Sequence, residues 1–167
     1  MSSKEVKVKK LTLENFRRYG SFINLIEVSP EDFFRIGKPP IEFFPDLTTL
    51  NVNGEIVGIS LCRVYPREFK INLVEHHNYS EEGILPLDGD VLMHVGHPTE
   101  DNIPPEEIEV FEVPKLTFVR LKRGVWHHAI FSKNNKIVNC LILLAERTYH
   151  NDCELKKIEE INITGNA

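Results

Sequence analysis

Short runs of alternating apolar and polar residues dominate the chain from about Leu47 onward. Thr48–Val52, Asn53-Gly54 and Ile56–Val64 read as a hairpin, because Asn and Gly tolerate the positive φ of a tight two-residue turn. Over Phe69–His77 the alternation puts Phe69, Ile71, Leu73, Glu75 and His77 on one side, with Lys70, Asn72, Val74 and His76 on the other. Further strands are predicted at Ile84–Leu87, Val91–Val95, Ile108–Val113 and Leu116–Leu121. The last two, Trp126–Phe131 and Ile137–Glu146, are joined by a turn at Asn134-Asn135. Strands this short and this numerous predict a mainly β sandwich or closed barrel rather than a βαβ sheet.

Upstream the periodicity is helical only briefly. Thr12 caps a short N-terminal helix over Leu13–Tyr19 and Gly20 stops it. Leu13, Phe16 and Arg17 would share a face that clamps the outside of a sheet. Pro30, Gly37, Pro39, Pro40 and Pro45 mark irregular loop, with one helical turn near Glu31–Arg35. The polar tail, 149–167, reads as a helical turn or a frayed strand.

The chain has 167 residues, enough for one domain spanning 1–167. Its formal net charge is -5 without a basic stripe, which argues against a nucleic-acid partner. Lys4, Lys7, Lys9 and Lys10 alternate with valines and precede no apolar run of a signal peptide. The longest apolar run, Leu141–Ala145, is too short to span a membrane, so no membrane partner is expected. Three widely spaced cysteines, Cys62, Cys140 and Cys153, fit neither a disulfide framework nor a zinc ribbon, and predict a cytoplasmic protein.

The candidate chemistry lies in two segments. Glu75 and His77 continue an otherwise apolar stripe, and burying them requires a bond to each other, a metal or a ligand. In Arg123–Ala129, Gly124 supplies a turn; His127 aligns with Val125 and Ala129, and His128 with Trp126 and Ile130. Both faces are partly apolar, so alternation does not choose between the two histidines. Arg63 and Arg120 would meet a carboxylate substrate if their strands turn them inward. His94 and His97 lie on opposite faces and cannot share one pocket.

The spacing x-x-His-x4-Glu-x6-Gly, read through His77, Glu82 and Gly89, resembles the first motif of the cupin superfamily, with Glu75 in place of its first histidine. Gly124 and His127 resemble the second motif. The resemblance implies a jelly-roll-like double-stranded β-barrel whose Glu75, His77, Glu82 and His127 converge on a divalent metal. Two imidazoles and two carboxylates suit Ni, Mn, Fe or Zn. A narrower resemblance covers most of the chain. Leu11–Gly20, Phe22-Ile23, Glu75-His-His, Ile84–Leu87 and Gly124-Val-Trp-His-His resemble segments of ureidoglycolate lyases, which are usually dimeric and split ureidoglycolate into glyoxylate and urea. The family's arginine between Glu75 and His77 is His76 here, and its glutamine is Glu82. That carboxylate strengthens a metal site and repels an anionic substrate unless a cation offsets it.

The resemblance therefore implies a homodimeric lyase acting on a small-molecule carboxylate. Glu82 or His127 would be the base, and Glu75, Arg63 and Trp126 would contact substrate. Two alternatives stand beside it. One is a non-catalytic cupin that binds a metal or small ligand. The other is a metal-dependent isomerase or epimerase of a sugar derivative, with Tyr65, Phe69 and Trp126 as the aromatic platform.

Overall fold

The computed structural model describes residues 4–165. In chain order the strands are β1 (Lys4–Lys10), β2 (Gly20–Asn24), β3 (Ile36–Lys38), β4 (Ile41–Phe43), β5 (Val57–Val64), β6 (Lys70–His76) and β7 (Glu82–Pro86). They continue as β8 (Val91–Gly96), β9 (Glu109–Val113), β10 (Thr117–Leu121), β11 (Trp126–His127), β12 (Phe131–Ser132), β13 (Val138–Ala145) and β14 (Glu154–Thr164). Two single-turn helices, α1 (Leu13–Phe16) and α2 (Thr148–Asn151), punctuate them.

Most strands fall into two sheets. The first runs β11-β6-β14-β1-β9-β8-β12, and β11 pairs with β8 as well as β6, so six strands close into a ring. The second runs β2-β10-β7-β13-β5. Between the sheets lies one core, where Val91, Met93, Val95 and Phe111 meet Ile84, Val119, Leu121, Cys140 and Ile142. Inside the ring lies a second, built from Ile71, Val74, Leu92, Val110, Trp126, Phe131, Ile161 and Ile163. β8 contributes to both cores, with Val91, Met93 and Val95 in one and Leu92 in the other, which is why every one of its residues is buried. This is the mainly β, double-stranded barrel of the cupin type that the motifs imply.

Several expectations change. Asn53 and Gly54 do take positive φ, 59° and 79°, but Thr48–Val52 is not a strand. β5 pairs instead with β13, in register from Val57↔Ala145 to Val64↔Val138. Turn chemistry bends the chain locally, whereas the strand's partner is set by the apolar face it buries. The polar tail forms β14, eleven residues long, antiparallel to β6 and parallel to β1. β1 itself, read from sequence only as a basic stretch, also pairs in parallel with β9. The irregular loop carries the β3–β4 hairpin, and its helical turn is a bonded turn from the Ser29 carbonyl to the Phe33 amide.

At α1 the cap forms as expected: Thr12 Oγ1 accepts from the Asn15 amide, and Asn15 Oδ1 accepts from the Thr12 amide. The helix ends at Phe16, however, and Leu13 is 74% exposed while Phe16 and Tyr19 fill the core between the sheets. The segment plugs that core rather than clamping the outside of a sheet. Gly20 is not a helix stop. A Cβ there would lie 1.7 Å from the Arg120 carbonyl oxygen, so glycine permits the close β2–β10 pairing.

Candidate functional site

β6 brings the first half of the site, and its alternation is not strict. Ile71 and Val74, three residues apart, both belong to the ring's core. Opposite them, Lys157↔Leu73 and Ile161↔Ile71 leave two extra residues on β14, so the ladder is irregular at this point. Beyond it, His76 stacks on Trp126 with ring centroids 4.0 Å apart and pairs with Glu154. Glu75 faces the pocket between the sheets. The expectation that Glu75 shares the side of Ile71 is corrected: the slip in the ladder separates them.

A bulge in the Trp126–Ser132 segment supplies the second half. His127 pairs with Val95 and Phe131 with Leu92, so four steps along one strand match three along β8. The extra residue breaks the predicted continuous strand into β11 and β12 and turns His127 and His128 toward the same cavity. This answers the choice between the two histidines: both line it. Gly124, at φ 74°, makes the turn before β11 and donates its amide to the His77 carbonyl, 2.7 Å.

Glu82, the first residue of β7, completes the cluster. Its Oε2 lies 2.7 Å from His127 Nε2 and 3.3 Å from His77 Nε2, and all three side chains are buried. His127 Nδ1 donates to the Val125 carbonyl, 2.8 Å, and His77 Nδ1 to the Asp152 carbonyl, 2.6 Å. Asp152 also ties the loop after β6, its carboxylate accepting from the Asn78 and Tyr79 amides at 2.7 Å each. Glu75 accepts from Cys153 Sγ at 3.2 Å, and its other oxygen lies 3.2 Å from His128 Nδ1.

Burial alone would raise the Glu82 carboxyl, but His127 and His77 outweigh it and hold it down at about 2. Burial alone would lower His127, yet the charge and hydrogen bond of Glu82, then the Val125 carbonyl, raise it to about 9. Burial would likewise raise Glu75, and His128, His127 and Cys153 bring it below the usual range.

Both imidazoles thus spend their Nδ1–H on backbone carbonyls, the arrangement that fixes a metal-ligating tautomer. Their Nε2 atoms then face one carboxylate oxygen, and His77 Nε2 is buried without a hydrogen-bond partner. Two lone pairs against a carboxylate need protons or a cation between them. Donor atoms of Glu75, His77 and His127 lie within 4.8 Å of one another. Two ligands each about 2.1 Å from one ion stand about 3–4 Å apart, so a divalent ion would draw these donors slightly closer together.

The cavity in front of this cluster has a volume of about 360 Å³, and Cys62, Tyr149 and Cys153 join Glu75, Glu82, His127 and His128 on its walls. Tyr149 and Cys153 were missed because they sit in a segment that reads as tail. Cys62 was missed because nothing local marks one residue of an apolar strand as a pocket wall. Trp126 lies elsewhere: fully buried in the ring's core, it donates to Thr99 Oγ1. Phe69 packs against the same core. Arg63 extends from β5 and donates to Asn139, while Arg120, on β10, lies 3.8 Å from Glu81. His94 is buried behind the bulge and His97 packs on Tyr19.

Comparison with known proteins agrees with the motif resemblance. The ureidoglycolate lyase family model matches residues 3–164. A ureidoglycolate lyase of Azotobacter vinelandii is 27% identical over 118 residues, covering 68% of this chain and 71% of its own. That of Escherichia coli K12 is 24% identical over 159 residues, 93% and 96% of the two chains. Among solved structures, the 3,4-ketoisomerase QdtA from Thermoanaerobacterium thermosaccharolyticum superposes with a TM-score of 0.47 at 12% identity, over 80% of this chain and 85% of its own.

Proposed function

Because the chain belongs to the ureidoglycolate lyase family, we propose that its pocket cleaves ureidoglycolate, or a close ureido acid, into glyoxylate and urea. The grouping of Glu75, His77 and His127 around one point, with Glu82 against both imidazoles, carries this reading. We assign the four as holders of a divalent ion, Ni, Mn, Fe or Zn by donor type. When bound, such an ion polarises a substrate oxygen and offsets the charge of the two carboxylates.

The reaction needs a proton moved from the substrate hydroxyl to the departing nitrogen. As that O–H proton leaves, the carbonyl of glyoxylate forms, the C–N bond breaks, and its electron pair stays on the urea nitrogen. Glu82 is favoured over His127 as the base, because it is held ionised while His127 Nε2 already points at it. The proton that Glu82 takes is the one the nitrogen requires, so Glu82 can deliver it and close the balance. In the metal-free site His127 orients Glu82 through Nε2, the same atom that would hold the ion, and Glu75, held by Cys153 and His128, forms the facing wall. Arg63 and Trp126 are left out of substrate contact, since neither lines the pocket.

The reading extends to a homodimer, supported by the exposed apolar row of β5, and to a reducing compartment, supported by three free cysteines. Release of glyoxylate and urea by purified protein supplied separately with each metal tests the activity. Glu82→Gln puts the family's glutamine at this position: with Glu82 as the base it should lower turnover about 100-fold or more, and turnover that survives hands the base role to His127. Tight metal retention without any turnover would instead favour a binding protein.

A further inference from the structure

The bulge that turns His127 and His128 into the pocket releases backbone carbonyls from the β8 ladder, and such groups need partners when partly buried. Arg67, in the β5–β6 connection, supplies them. Its Nη2 donates to the Ala129 carbonyl at 2.7 Å and to the Ile130 carbonyl at 2.9 Å. Its guanidinium also lies over the Phe131 ring, 3.9 Å from the centroid. One side chain from a separate loop therefore grips three successive residues on the far side of the bulge.

We propose that Arg67 is a positioning residue: by holding the released carbonyls of Ala129 and Ile130 and the ring of Phe131, it sets the direction in which His127 and His128 enter the pocket. The opposite end of the bulge is already fixed, with His127 paired to Val95 and Glu75 and its Nδ1 bonded to the Val125 carbonyl. Arg67 supplies the second fixed point, so the segment that carries both histidines is pinned at both ends. A lysine offers a point charge on a flexible stem without the planar group that lies on Phe131. Partial burial favours loss of the Arg67 charge, yet a guanidinium keeps its proton at any working pH.

In its metal readout the inference rests on the proposed metal site; its histidine readout does not. Arg67→Lys, Arg67→Met and Arg67→Ala are compared with the parent chain by Co(II) affinity and by the ring ¹⁵N–¹H spectra of His127 and His128 in metal-free protein. The expected result is a 10–100-fold weaker Co(II) affinity in Arg67→Met and a smaller loss in Arg67→Lys. Both histidine signals should move, and millimolar guanidinium should restore those of Arg67→Ala. Folded variants whose two histidine signals match the parent would overturn the inference. If the parent itself binds no Co(II), the metal reading fails and the histidine spectra still decide the role of Arg67.

Discussion

At the scale of single residues, the Glu82–His127 pair is the most consequential contact in the pocket. In metal-free protein the folded value of His127, about 9, lies above its ordinary 6.5. Its contribution to stability is therefore complete below pH 6.5 and lost as pH rises through about 9. Glu82 is the mirror case: its folded value, about 2, lies below 4.5, so its contribution is complete above pH 4.5 and lost as pH falls through about 2. Chelator-treated protein should lose about 2–3 kcal/mol of denaturant stability between pH 6.5 and 9 through this pair. Glu82→Gln should flatten that slope. An equal slope in parent and variant would remove the pair as its cause. The residue types of this cluster were legible in the motif spacing. That His128 joins it was legible only as an open choice, because a bulge is decided by the partner strand.

At the scale of elements, the α2–β14 junction does more than end the barrel. Asp152 orients His77 through its carbonyl and holds the loop after β6 through its carboxylate, while Tyr149 and Cys153 beside it form pocket wall. Asp152→Ala leaves the backbone carbonyl but frees two amides, and should cost about 1–2 kcal/mol in urea unfolding at this partly exposed site. It should also weaken divalent-metal affinity, whereas Asp152→Asn, which keeps an acceptor oxygen, should recover part of both. Metal affinity unchanged in Asp152→Ala would show that His77 is held without this tether. Nothing in the polar stretch after Tyr149 announces such a role. Most of its charged residues face out along β14, and the signal for a strand is carried only by Leu155, Ile158, Ile161 and Ile163.

At the scale of the whole molecule, the barrel leaves β5 as a sheet edge, and its Val57, Ile59 and Leu61 are 46%, 75% and 57% exposed. An open, apolar, eight-residue edge is a template for another strand. If two copies of the chain meet there, Ile59→Lys should convert the dimer to monomer in sedimentation velocity, at little cost to the fold. A parent protein that sediments as monomer, or a variant that remains dimeric, would exclude this edge as the interface.

The amino-acid sequence by itself determined that the chain is mainly β, where most strands run, and which residue types recur at cupin spacing. Alternation, positive-φ turn residues and motif intervals are local properties, and they survive into the structure at Val138–Ala145, Asn53-Gly54 and Gly124. Tertiary structure alone decided that β1 and β14 pair in parallel, that Thr48–Val52 is no strand, and that Glu75 parts from Ile71 while His127 and His128 turn together. The physical reason is shared. Period-two alternation names a face only until the first bulge, and whether a strand bulges depends on a neighbour far away in the chain. Here those neighbours are β14, which sets the side of Glu75, and β8, which sets that of His127 and His128.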